Sequence, residues 1–324
     1  MGIAPLPLDP RLGDSFAVSA ARAVGHGRVR MRARDLEAPY RGVRRRVAPT
    51  PALVDDDNPL ARDRAERIRV LRDAQAYVQI APEHVFFVGR SAAVIWGLPC
   101  EHGAALHVGV QDPHRAPRRA GIRGANVAAH LVSLREHQGL RVSSPASTWA
   151  MLGGELAHRE LVVLGDAIVR IPRDRHGRPE PEQQLATREQ LAAAAACRGR
   201  RHRGRLLAAL ADIRVGSMSV LETDFRLGAQ GAGLPEPRVD VEVRGAGGRL
   251  LGIADAVYEA QRTIVEVEGD HHRTSRAQWE RDLQKHAAYL AAGWQVVRLT
   301  GTHIRTGRAP AMVAAVLRHG GLRG

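Results

Sequence analysis

The chain has 324 residues, 44% of them hydrophobic, and a formal net charge of +14. Its apolar stretches, such as Gln190 to Cys197, are far too short to span a bilayer, and Met1 to Arg11 lacks the apolar core of a signal peptide. Two distant cysteines, Cys100 and Cys197, exclude a disulfide framework and a cysteine-based metal cluster, so a reducing cytoplasm is the expected compartment.

The sequence pI is about 11.2. Such a charge favours a polyanionic partner, because phosphate contacts by cationic side chains drive nucleic-acid affinity. Of the 48 cationic residues only Lys285 is lysine, so a genome-wide arginine preference is the competing explanation, and charge alone does not choose between them.

Length predicts two or three domains. Residues 1–58 form a basic N-terminal segment, with a short helix expected near Ser15 to Ala23 and a basic strand after Pro39-Tyr40-Arg41-Gly42, which together would suit a winged-helix remnant. A break at residues 50–59 precedes a helix to Gln79, with Leu60, Ile68, Leu71 and Ala74 at helical spacing. Residues 59–180 then read as a mixed α/β domain: strands at Val85 to Val88 and Leu106 to Val110, a helix at Ser91 to Trp96, a basic loop at 112–124, and helices at 146–153 and 157–170. Ser143-Ser144-Pro145 is a helix start, with a serine cap and proline in the first turn. Residues 171–182 read as a linker or loop, and 181–204 as a basic linker with an alanine-rich helix.

Residues 205–324 carry the clearest pattern. A capped helix starts at Ser219, with Glu222 and Arg226 on one face. Strands follow at Val239 to Val243, Leu251 to Tyr258 and Thr263 to Glu268, then a helix from Ser275 to Ala292 that would bury Trp279, Leu283 and Leu290. A strand at Trp294 to Leu299 and a helix at Ala309 to Leu317 complete an αβββαβα order, an α/β layer fold.

Within the third strand, alternation puts Ile264, Glu266 and Glu268 on one face. Two glutamates there imply either a wet face or a compensating cation, because buried ionised carboxylates without partners are strongly unfavourable. Asp255 on the neighbouring strand would meet Glu266, and with the Val267 carbonyl this gives hard oxygen ligands suited to Mg2+ or Mn2+. Gly269-Asp270-His271-His272-Arg273 follows directly, a histidine pair where a proton-transfer group would serve.

The runs Ser219 to Arg226, Gly233-Leu234-Pro235-Glu236-Pro237, Ile253-Ala254-Asp255, Val265 to His272, Glu280-Arg281-Asp282 and Ala292 to Arg298 together resemble a bacterial endonuclease-like family. That family is related to the very-short-patch mismatch-repair endonucleases, within the PD-(D/E)XK restriction-endonuclease-like superfamily. The resemblance spans about residues 205 to 318. It implies a restriction-endonuclease-like αβββαβ core, metal held by Asp255, Glu266, Val267 and Glu268, and catalysis by these acids with His272, Glu222 and Asp282. Glu268 stands where the superfamily has its lysine.

In the middle segment, Phe87 to Pro99, Leu106 to Val110, Arg115 to Gly124 and Ser143 to Trp149 resemble the antitoxins of AbiE-type (type IV) toxin–antitoxin systems. This implies DNA binding through an N-terminal winged helix and a possible cognate toxin partner. Arg115, Arg118, Arg119 and Arg123 of the basic loop, with Arg200, Arg201, Arg203 and Arg273, are the candidate nucleic-acid contacts.

No phosphate-binding loop, hydrolase triad or zinc-ligand spacing occurs, and four residues each of Phe, Trp and Tyr argue against a base-stacking platform. The expected function is a metal-dependent DNA endonuclease. The alternative is a non-enzymatic DNA-binding regulator of antitoxin type on a degenerate nuclease fold.

Overall fold

Apolar alternation, proline-led helix starts and glycine turns divide the chain into short strands and helices of mixed α/β type, arranged around three sheets. The computed structural model describes residues 5–47, 59–269 and 276–320. Of the break expected at 50–59, all but Pro59, the first residue of the helix that follows, lies outside the described residues. Two compact units divide between Met151 and Leu152. No described helix is long and apolar enough to cross a membrane.

The first unit opens with β1 (Ser15–Ala17), α1 (Val18–Ala23), β2 (Leu36–Glu37) and β3 (Val43–Arg46), an antiparallel sheet in the order β1-β3-β2. Between α1 and β2 stands one 3-10 turn, Arg30–Arg32, too short to act as a groove-entering helix. Its Arg30 is buried and held by both oxygens of Asp35, at 2.8 and 2.7 Å. The winged-helix expectation is thus reduced here to a small sheet and one short helix.

The unit continues with α2 (Pro59–Tyr77), β4 (Phe86–Phe87), α3 (Gly89–Ile95), β5 (Leu106–Val110), β6 (Arg118–Arg119), β7 (Ile122–Asn126), β8 (Leu134–His137), β9 (Leu140–Ser143) and α4 (Pro145–Met151). The strands form one mixed sheet in the order β6-β7-β5-β4-β9-β8. Val70, Ala74 and Tyr77 of α2 pack on Phe87, Val108 and Val142, whereas Ile68 points outward. Two expectations change. The basic loop at 112–124 contains the β6–β7 hairpin, and the unpredicted β8–β9 hairpin turns through Gln138 and Gly139, both at positive φ. Glutamine is a poor signal for such a turn, which usually carries Asn-Gly or Asp-Gly.

The second unit comprises α5 (His158–Val169), α6 (Arg188–Ala196), α7 (Arg203–Asp212), α8 (Val220–Gly231), β10 (Arg238–Arg244), β11 (Leu250–Tyr258), β12 (Thr263–Glu268), α9 (Arg276–Ala291), β13 (Gln295–Thr300), α10 (Gly301–Arg305) and α11 (Ala309–Gly320). Its mixed sheet runs β10-β11-β12-β13, antiparallel except for the parallel β12–β13 pair that α9 connects. Phe225 of α8 and Val313 of α11 pack on Ala256, Val265 and Leu299. Tyr289 of α9 packs with Val243, Ala254, Val257 and Ile264.

The expected boundary at residue 180 moves to 151 because α5 belongs to this unit. Asp166 of α5 is buried and accepts from Arg226 at 2.8 Å, from the Thr223 hydroxyl at 2.8 Å and from the Arg214 backbone at 2.7 Å. Residues 171–182 are likewise no free linker: Arg173 pairs with Asp240 of β10 at 2.8 Å. Residues 181–204 hold α6 and the start of α7, which packs on α5 and α6.

Removing one partner of a buried ion pair strands the other charge, which costs about 3–5 kcal/mol. Asp166→Ala is therefore expected to lower the unfolding free energy by about that amount. Urea denaturation of the full chain would check it, and a loss no larger than that of an exposed aspartate variant would contradict it.

Candidate functional site

The β11–β12 ladder runs from Tyr258↔Thr263 to Ala256↔Val265 and stops there. Asp255 and Glu266, the next residues on each strand, stand where the two backbones part. Asp255 fills the gap with its side chain, Oδ2 accepting from the Val267 backbone N–H at 2.7 Å. Asp255 and Glu266 thus both stand just past the end of the ladder, and the Asp255 charge acts on Glu266.

The side chain that faces Glu266 is one that apolar patterning does not pick out. Lys285 of α9 donates from Nζ to Glu266 Oε2 at 2.8 Å and to the Ile253 carbonyl at 3.3 Å. The inward face of α9 is Asp282, Lys285 and Tyr289, while Leu283 and Leu290, expected inside, are 43% and 52% exposed. The side chain of Trp279, also expected inside, lies outside the described residues. Tyr289 is fully buried and its ring lies 5.8 Å from Lys285 Nζ. Taking the apolar stripe as the inward face turns the predicted helix the wrong way.

Gly252 makes that approach possible. A Cβ at this position would lie 2.5 Å from Tyr289 Oη and 2.7 Å from Lys285 Cδ. A glycine inside a strand marks such a close approach, and this is the sequence signal available for finding Lys285.

Glu222 joins from α8. Ser219 caps that helix by accepting from the Glu222 N–H at 3.2 Å, and Glu222 Oε2 accepts from the Met218 N–H at 2.8 Å. Arg226, four residues on, does not pair with Glu222; it turns to Asp166. Burial, then the Asp255 charge, pushes the Glu222 carboxyl up to about 7, against the lowering hydrogen bonds. Burial and Asp255 likewise push Glu266 up to about 7, opposed by Lys285, with Asp282 adding to the rise. Tyr289 is raised by burial and by the two acids Glu266 and Asp255.

Glu268 lies two residues on from Glu266 along the same strand. Its carboxylate pairs with Arg298 of β13. Asp270, His271, His272 and Arg273 lie outside the described residues. Among the described residues, no three His, Cys, Asp or Glu side chains are gathered at metal-holding distance. The donor chemistry nevertheless suits a hard divalent cation: Asp255 and Glu266 supply carboxylate oxygens, and Glu266 Oε1 is buried with no hydrogen-bond partner.

The basic candidates fall into two groups. Arg115, Arg118, Arg119 and Arg123 surround the β6–β7 hairpin and are exposed. Arg201 and Arg203 are exposed at the start of α7, but Arg200 turns inward and donates to the Ala194 carbonyl at the end of α6, at 3.1 Å. It satisfies a helix C-terminus, where cations are favoured, instead of facing a phosphate.

No family model matches the chain, and no curated protein matches it. Among solved structures, it is similar to the Rv2827c protein from Mycobacterium tuberculosis, at 16% identity and a TM-score of 0.34 over 62% of this chain and 77% of that one.

Two outcomes follow from this geometry. Gly252→Ala is expected to displace Lys285 and Tyr289 and to cost about 1–3 kcal/mol by overpacking, readable as a lowered urea midpoint. The second concerns pH. Glu222 and Glu266 titrate higher in the folded chain than their ordinary value of 4.5, so the folded state binds more protons between about 4.5 and about 7. Stability of the cation-free protein should fall as pH rises through that window, and the Glu222→Gln/Glu266→Gln double variant should flatten the fall. A denaturation series with the same slope in both proteins would count against the raised carboxyls.

Proposed function

We propose that the second unit is a metal-dependent DNA endonuclease domain of restriction-endonuclease-like architecture, hydrolysing a phosphodiester at Asp255, Glu266 and Lys285. The observation that carries this reading is Lys285. In a chain whose other 47 cationic residues are arginine (48 minus one), the single lysine lies 2.8 Å from the central glutamate of a strand-end acidic pair. A compact ammonium on a flexible stem does what a guanidinium fork does not: it presents one concentrated charge at one point.

In this reading Asp255, Glu266 and the Val267 carbonyl hold Mg2+ or Mn2+. The bound cation would lower the pKa of a water and stabilise charge on the phosphoryl oxygens. Lys285 steadies Glu266 as an ionised ligand and faces the incoming negative charge, taking the part that Glu268 in the superfamily lysine position does not supply. Glu222 is the carboxylate available to accept the proton of the attacking water. Asp282, on the same face of α9, would orient the site, and His272 is a further proton-transfer candidate. Water adds to phosphorus as one phosphorus–oxygen bond forms, the bond to the leaving oxygen breaks, and that oxygen takes up a proton.

The second reading is a DNA-binding regulator of antitoxin type that has lost this chemistry, with a toxin as its partner. The Arg298–Glu268 pair and the absence of three gathered ligands among the described residues favour it.

Calorimetry with Mg2+ and Mn2+, alone and with DNA, separates the two. The endonuclease reading expects cation binding that disappears in Asp255→Ala/Glu266→Ala; no binding by the parent protein under either condition favours the regulator. With plasmid DNA, Lys285→Met is expected to slow nicking about 100- to 1,000-fold, the scale on which loss of one charge-stabilising group acts. Its DNA affinity should stay within a few-fold of the parent. Wild-type cleavage by Asp255→Ala would overturn the assignment.

A further inference from the structure

In the first unit, β6 is the edge of the six-stranded sheet, and its register with β7 sets Arg118 directly opposite Arg123. Like charges directly opposed on antiparallel strands repel, so this pair weakens the hairpin that carries it. A charged edge discourages strand–strand aggregation, but that purpose does not call for like charges face to face.

Among the described residues, Arg115, Arg118, Arg119, Arg123 and the neighbouring Arg41 have no acidic partner. Some arginines of the unit are matched: Arg30 with Asp35, Arg45 with Glu37 and Asp73, Arg69 with Glu66 and Asp73, and Arg72 with Asp14 and Glu37. The hairpin sets Arg118, Arg119 and Arg123, all exposed, on two paired strands, which concentrates positive charge at this edge.

The hairpin is also pre-shaped. Asn126 of β7 clamps the preceding loop, its Oδ1 accepting from the Ala116 N–H at 3.1 Å and its Nδ2 donating to the His114 carbonyl at 3.2 Å. Pro117 seats against Gly124, where a Cβ would lie 2.5 Å from the Pro117 carbonyl oxygen. Arg119 Nη1 donates to the Arg41 carbonyl at 3.1 Å, tying the hairpin to the loop before β3. Guanidinium groups on a fixed edge meet phosphate oxygens with little ordering left to do.

We propose that the β6–β7 edge is a duplex nucleic-acid ledge, with Arg118 and Arg123 contacting phosphates on the backbone and Arg41, Arg115 and Arg119 flanking them. The partner is double-stranded because the ledge offers guanidinium groups and, among the described residues, no exposed Phe, Tyr or Trp ring: Tyr40, which packs beneath the Gly121 turn, is buried, and the face of the His114 ring is stacked on His84. Single strands are held by stacking on such rings. Contacts of this kind position a duplex without reading its sequence. The ledge does not depend on the endonuclease reading, since it lies in the other unit and needs no cation.

The test is fluorescence anisotropy of the full chain with a labelled duplex of mixed sequence, in EDTA, over a series of salt concentrations. Arg118→Ala/Arg123→Ala is expected to weaken binding at least about 10-fold and to lower the slope of log K against log salt by about 2, near one for each phosphate no longer neutralised. Arg118→Lys/Arg123→Lys should keep most of the slope, which guards against a folding defect, and unrelated duplexes should respond alike. Arg249→Ala/Arg308→Ala removes the same charge from exposed sites of the second unit and should change little. An unchanged slope in the alanine pair, an equal loss in the charge control, or displacement of duplex by polyglutamate at matched charge would each overturn the proposal. Because EDTA suppresses metal-dependent cleavage, failure here leaves the endonuclease reading standing, and failure of that reading leaves this result intact.

Discussion

Two opposite charges, both 2% exposed, sit side by side between α5 and α8: Asp166 and Arg226. Neither could be buried alone, because the desolvation of an unpaired ion exceeds what any single contact returns. Asp166 is instead surrounded by donors, from Arg226, the Thr223 hydroxyl and the Arg214 backbone, and so fixes where α8 lies against α5. Glu222 stands one turn before Arg226 on that helix. The placement of an acid at the candidate site therefore depends on a charge pair outside it, and α8 owes its position to polar satisfaction as well as to the apolar face around Phe225.

The acidic site itself is built from conflict. Asp255 repels both Glu266 and Glu222 in a largely buried setting, and the fold relieves this in small ways: a backbone N–H for Asp255, another for Glu222, an ammonium for Glu266. One oxygen of Glu266 is left without any partner. Buried polar atoms without a partner are uncommon, and the hydroxyl of Tyr289 on α9 is another. Space is as tightly arranged as charge around Gly252, where the absent side chain admits the Lys285 stem and the Tyr289 hydroxyl together.

Element types in the second unit were largely legible because their periods are clean. Glu266 and Glu268 fall on one face as strand alternation requires, and Ser219 caps its helix as serine before an acidic first turn should. The failures share a cause: local pattern is silent about which of two plausible faces the rest of the molecule takes up. Leu283 and Leu290 were the better hydrophobic stripe on α9, yet an acid across the sheet outranked them by drawing Lys285 inward. Arg298 claimed Glu268 from a strand thirty residues on, and Arg200 placed its charge at a helix end. The β8–β9 hairpin went unseen because its turn residues are untypical.

The sequence by itself determined the α/β character of both units, the strand that carries the acids, the neighbouring strand that supplies Asp255, and the surplus of arginine. These follow from periodicity, capping and composition, which act over a few residues. Only the tertiary structure decided which charges are matched. Whether Lys285 meets Glu266, whether Glu268 is free, and whether Arg118 and Arg123 stand face to face depend on strand register and helix rotation, set by contacts between residues far apart in the chain. Coulomb and hydrogen-bond energies turn on ångströms of separation, and that separation is what folding fixes.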